Sequence, residues 1–163
     1  MKSIDMKNLF VTLLMLLAVL SASAQSHAVR VGSGTTTTTK RVNPSKEVNA
    51  MNGILAKAKK YGASWSVDQW KEQFKNVLIA TKPMFLTMAE INTKMEAAGD
   101  DAVKMAEIMK EVETLEKRYG ELDKQMNEFN DIAEGTENGR IVLEDEDWGT
   151  KVMEELGIPD LDN

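Results

Sequence analysis

MAEIMKEVETLEKRYGELDKQMNEFNDIA, residues 105–133, decides the fold of this chain. Met105, Ile108, Val112, Leu115, Tyr119, Leu122, Met126, Phe129 and Ala133 recur at alternating spacings of three and four. That period places one apolar residue on the same helix face every turn. Charged residues such as Glu111, Glu113, Lys117, Arg118 and Lys124 fill the other faces, as in a heptad seam. A helix over 101–134 follows, with Asp101 as its cap.

The preceding stretch carries a matching row. Trp70, Phe74, Val77, Thr81, Met84, Met88, Ile91 and Met95 keep the same phase straight through Pro83. Two unrelated helices would lose that phase, so the spacing predicts one helix over 66–98, kinked near Pro83. Ser66-Val67-Asp68-Gln69 reads as its capping box and Gly99 as its stop. Two long helices joined by so short a turn make an antiparallel hairpin, each arm about 45 to 50 Å at 1.5 Å per residue. Met95 should then lie near Met105, and Trp70 near Phe129. Ser45 caps a shorter helix over 45–61, ended by Gly62, whose Val48, Met51, Ile54, Leu55, Ala58 and Tyr61 share a face. Packed on the hairpin, it completes an all-α three-helix bundle forming a single domain over 45–163.

Outside this domain the N-terminus reads as a targeting segment. Lys2 and Lys7 precede the run Leu9–Leu20, apolar apart from Thr12, and Ala22-Ser23-Ala24 is a peptidase pattern. Residues 1–24 are read as a signal peptide, and the run is too short for a membrane span. Gln25–Pro44, with Gly32-Ser33-Gly34 and Thr35–Thr39, reads as a flexible leader. It holds His27, the one histidine, far from any partner that catalysis or metal binding would require. With no cysteine, stability rests on apolar packing rather than disulfides. Residues 25–64 carry seven basic side chains against Glu47 alone. Residues 135–163 reverse this balance, with nine acids against Arg140 and Lys151. The whole chain has a net charge of -6, which disfavours nucleic acid as a partner.

The C-terminal part contains Arg140-Ile141-Val142-Leu143, an apolar run with strand character, then four acids and a short helix over 147–156. Glu134–Asp145 has Asn138 and Gly139 at loop positions 5 and 6 and an acid at 12, and resembles a calcium-binding EF-hand loop. The resemblance would make Glu134, Asn138 and Asp145 metal ligands. Glu134 stands where an Asp is usual, Thr136 replaces an acid, and Asp145 replaces the bidentate Glu. An Asn-Gly turn without bound calcium is therefore the expectation. Glu144–Asp147 suits a helix N-terminus better than a cation. Met84, Met88, Met95, Met105, Met109 and Met126 read as adaptable core filler rather than soft-metal ligands. Trp65 and Trp70 read as packing at a helix junction rather than a ligand platform.

No nucleophile elbow, zinc-protease motif, phosphate-binding loop or dinucleotide fingerprint is present. The expectation is an exported, non-enzymatic helical protein, without a cofactor, binding another protein in the periplasm or outside the cell. A small carboxylate-based hydrolase is one alternative, a calcium-responsive module another. A seam left unsatisfied within one chain would drive self-association. N-terminal sequencing of the exported product should return Gln25 as the first residue; a product starting at Met1 contradicts the export reading.

Overall fold

The structure, a computed structural model, describes residues 45–159. The signal peptide, the leader and His27 lie outside the described residues. Five α-helices and one 3-10 turn account for nearly all of the described chain, and no strand occurs there. They are α1 (Lys46–Tyr61), the turn Gly62–Ser64, α2 (Val67–Ala98), α3 (Ala102–Glu134), α4 (Glu137–Leu143) and α5 (Glu146–Leu156).

Local chemistry explains where each helix starts and stops. The Ser45 hydroxyl accepts from Val48 N, capping α1. Ser66 and Gln69 close a reciprocal capping box at α2, their bonds measuring 3.3 and 2.9 Å. The Asp101 carboxylate accepts from both Val103 N and Lys104 N at the head of α3. Between α2 and α3, Gly99 adopts φ 52°, a conformation that a Cβ would oppose, and this allows the chain to reverse within three residues. Gly157, at φ 63°, ends α5 in the same way.

α2 runs unbroken through Pro83. Proline removes a donor from the ladder there, and hydroxyls bond locally on both sides of it. Thr81 Oγ1 donates to Val77 O at 2.8 Å and Thr87 Oγ1 to Pro83 O at 2.9 Å. Thr81, the polar member of the apolar row, is thus satisfied within its own helix while fully buried.

The two heptad rows are buried. Trp70, Phe74, Met126 and Phe129 have no exposed surface, and Leu122 keeps 1%. Trp70 packs edge-on to Phe129 with ring centroids 5.7 Å apart, and Phe74 meets the same ring at 4.9 Å. Near the far end, Lys94 Nζ bonds Glu111 Oε2 at 2.5 Å. Residue numbers therefore rise along α2 as they fall along α3, so the two arms are antiparallel. Met95 and Met105 both pack against the core as partly buried residues.

α1 lies beside the end of this hairpin remote from the Gly99 turn. Gln125 Nε2 of α3 donates to Val48 O and to Asn52 Oδ1, at 3.3 and 2.7 Å. Lys59 pairs with Glu128 at 2.6 Å. Numbers rise together, so α1 runs parallel to α3. α5 lies along α2: Lys71 bonds Asp145 at 2.6 Å, the Phe74 and Trp148 rings lie 6.5 Å apart, and Lys82 Nζ donates to Leu156 O at 2.6 Å.

The segment Arg140–Leu143 corrects a sequence expectation. It lies in α4 and not in a strand. Thr136 caps this helix by accepting from Gly139 N, and the buried set is Gly139, Val142 and Leu143, while Ile141 is 47% exposed. Burial at three- and four-residue intervals is helical; a strand would have put Ile141 and Leu143 on one face. Asn138 Nδ2 ties the helix down by donating to Trp65 O at 2.8 Å. Gly139 is required by contact, because a Cβ there would overlap the carbonyl oxygen of Ala133.

Leu122→Ala should lower unfolding free energy by about 2 to 5 kcal/mol, whereas Lys117→Ala should change it by under about 0.5 kcal/mol, both read from urea denaturation. Gly139→Ala should cost about 1 to 3 kcal/mol through backbone overlap. A harmless Leu122→Ala would contradict an intramolecular seam.

Candidate functional site

The length mismatch between the helices creates the main surface feature. α1 has 16 residues and α3 has 33, so α1 covers roughly half of the hairpin at 1.5 Å per residue. Its contacts with α3 run from Arg118, which interacts electrostatically with Glu47, to Ile132, which approaches Gly62. Past Arg118 the same side of the hairpin opens into a groove of about 350 Å³ between α2 and α3. Ile91, Leu115 and Tyr119 give it an apolar lining; Thr87, Thr114 and Glu111 add polar groups. Leu115 is 6% exposed and Tyr119 4%, so the apolar lining belongs to the seam itself.

Arg118 stands at the groove's inner end with its guanidinium 5.0 Å from the Tyr119 ring centroid. Beside it begins α1. The Glu47 carboxyl is held below its ordinary pKa, first by a backbone N–H at the helix start, then by the Ser45 hydroxyl, with Arg118 adding attraction. At the outer end, the Lys94 and Glu111 ion pair links the two arms. The groove thus combines apolar surface with hydroxyls and charges of both signs, which suits a peptide segment better than a compact apolar ligand.

The residues singled out from sequence lie elsewhere. Glu134 closes α3, Asn138 sits inside α4 with its amide on Trp65 O, and Asp145 caps α5 by accepting from Trp148 N. The twelve residues Glu134–Asp145 contain a helix and so do not form one cation-wrapping loop. Among the described residues, no three histidine, cysteine or carboxylate side chains gather to hold a metal ion. Glu144–Asp147 surrounds the start of α5, where negative charge favours the helix dipole. Met84, Met88 and Met126 are buried in the core. Trp65 and Trp70 pack edge to face at 4.9 Å.

Besides Glu47, two further carboxylates have displaced pKa values, of opposite sign. The Lys71 ammonium hydrogen-bonded to Asp145 is the main cause holding that acid below the usual range. Burial raises Asp123, whose Oδ2 accepts from Asn127 Nδ2 at 3.4 Å. They sit on different elements, Asp123 within α3 and Asp145 at the start of α5.

The groove was invisible to helix periodicity, which reports which face is apolar but not how far a neighbouring helix covers it. The available signal was helix length, since a 16-residue helix cannot shield a 33-residue one. Comparison of the chain with protein-family models, with curated proteins and with solved structures finds no match.

The pKa displacements fix signs for two substitutions. A depressed acid contributes stability above its unfolded pKa and loses it as pH falls through the folded value, so the advantage of wild type over Asp145→Asn should shrink on acidification. A raised acid destabilises the charged fold, so Asp123→Asn should gain relative stability near neutrality and lose that gain below the ordinary carboxylate range. Urea midpoints from neutral to acidic pH check both. Calorimetric titration of calcium should show no binding tighter than millimolar, whereas micromolar affinity lost in Glu134→Ala would restore the EF-hand reading.

Proposed function

We propose that this is an exported helical protein that binds another protein through the distal flank of its hairpin. The reading combines a three-helix bundle at the base, made by α1, α2 and α3, with a distal half in which, among the described residues, α2 and α3 pack mainly on each other. The observation that carries it is the groove beyond Arg118, whose apolar lining is part of the seam and whose polar groups come from both arms. Exposed apolar side chains extend the distal surface: Val103 is 72% exposed and Leu86 39%. Exposed aliphatic side chains beside a groove rimmed by charges and hydroxyls suit a protein-binding patch. The export part rests on Lys2, Lys7, the apolar run and Ala22-Ser23-Ala24.

Among the described residues no helix is long and apolar enough to cross a membrane. The hydrolase alternative draws on Asp123, whose raised pKa is the property of a general acid, but a second carboxylate facing it across a cleft would be needed.

Site-specific photo-crosslinking separates these readings. A photoreactive residue at Thr114 should give a discrete higher-mass adduct in the exporting cell, and one at Glu113, about 100° further round α3 and outside the groove lining, should not. Adducts from Glu113 alone, or a hydrolytic activity abolished by Asp123→Asn, would overturn the groove-binding reading.

A further inference from the structure

We propose that a second copy of this chain docks on the outer face of α2, antiparallel to it, about a two-fold axis passing between Lys82 and Pro83. α2 carries apolar residues on two opposite faces. One is the seam it shares with α3. Ile79 stands two residues before Thr81 of that row and Leu86 two after Met84, so both lie about 200° further round the helix. They face solvent, Ile79 52% and Leu86 39% exposed, with half-buried Pro83 between them at spacings of four and three. Neither lines the groove, whose α2 residues are Thr87 and Ile91.

The charges around this stripe select its occupant. Exposed Lys75 lies before Ile79 and exposed Glu90 after Leu86 on the same outer face. The pairs Ile79 and Leu86, Lys75 and Glu90, and the helix ends Val67 and Ala98 are all centred on the same point, between Lys82 and Pro83. A copy turned about a two-fold axis there sets Ile79 against Leu86 of the second copy and Lys75 against its Glu90, each contact being made twice. A parallel copy would set lysine on lysine and glutamate on glutamate, so the charges favour the antiparallel arrangement. Lys82, nearest the axis, has its ammonium on Leu156 O at 2.6 Å, which keeps it from its own counterpart. The ion pair of Lys75 with Glu155, 3.3 Å long between exposed side chains, leaves the lysine free to meet a second acid. Space allows the same arrangement. Among the described residues, α5 is tied to α2 from Lys71 to Lys82, so the later half of α2 has room beside it for α5 of the second copy.

Sedimentation of residues 25–163, the form left by the cleavage proposed above, should give a weight-average mass that rises with concentration from one chain towards two, with Kd below about 1 mM. Lys75→Glu and Glu90→Lys should each weaken association by roughly tenfold or more, because like charges then meet at both ends of the contact. One chain carrying both reversals has opposite charges facing again, and its association constant should return close to that of wild type, a recovery that damage to the fold would not give. The absence of native cysteine adds a test of register. In a mixture of Ile79→Cys copies with Leu86→Cys copies, disulfides between the two kinds should form roughly tenfold faster than disulfides within either kind, whose cysteines are offset by about 10 Å along the helix. A single-chain mass at every concentration would give the stripe to some other occupant and overturn the proposal. No recovery in the double reversal, or equal disulfide rates, would overturn it as well. These variants leave the groove lining intact, so the Thr114 crosslinking result stands or falls separately.

Discussion

Mutual burial of Trp70, Phe74 and Phe129 is the contact on which the rest of the structure depends. Trp70 and Phe129 meet at 5.7 Å and Phe74 and Phe129 at 4.9 Å, fixing the register of the hairpin at its base. Such aromatic pairs contribute about 0.5 to 1.5 kcal/mol each beyond the area they bury. The smaller elements attach at the same level: Trp65 on the edge of Trp70, Trp148 against Phe74, and α4 through Asn138 on Trp65 O. Surface pairs such as Lys59 with Glu128 are exposed and add little beside this core.

Among the described residues, α1, α4 and α5 gather at one end, and the other end is formed mainly by α2 and α3. Met84, Phe85, Met88, Ile91, Ile108 and Val112 still bury their side chains in the distal half, so the hairpin does not splay. A two-helix layer shields its seam incompletely, and the groove beyond Arg118 is where that shows. The same incompleteness lowers local stability at that end.

The heptad rows, the Ser66 and Gln69 capping box and the Gly99 reversal were legible in sequence because each is a local pattern with one structural outcome. Arg140–Leu143 was not. Four residues with β-branched character fit a strand, and what made them helical was a Thr136 cap together with close packing of Gly139 on Ala133, a contact at the end of another helix. The candidate ligands failed to gather for a related reason. Asn138 is used to hold α4 to Trp65 O, and Asp145 to cap α5 and pair with Lys71. Asp145 and Glu155 pair with Lys71 and Lys75 of α2, residues no charge count would have selected.

Native-state amide hydrogen exchange, resolved by residue along α2 and α3, tests the division into a braced base and an open tip most directly. Opening free energies should be highest around Phe74 and Phe129, approaching that of global unfolding, and fall steadily towards Ala98 and Asp101. Uniform protection along both arms would show that the distal half is as firmly packed as the base, and would contradict the account.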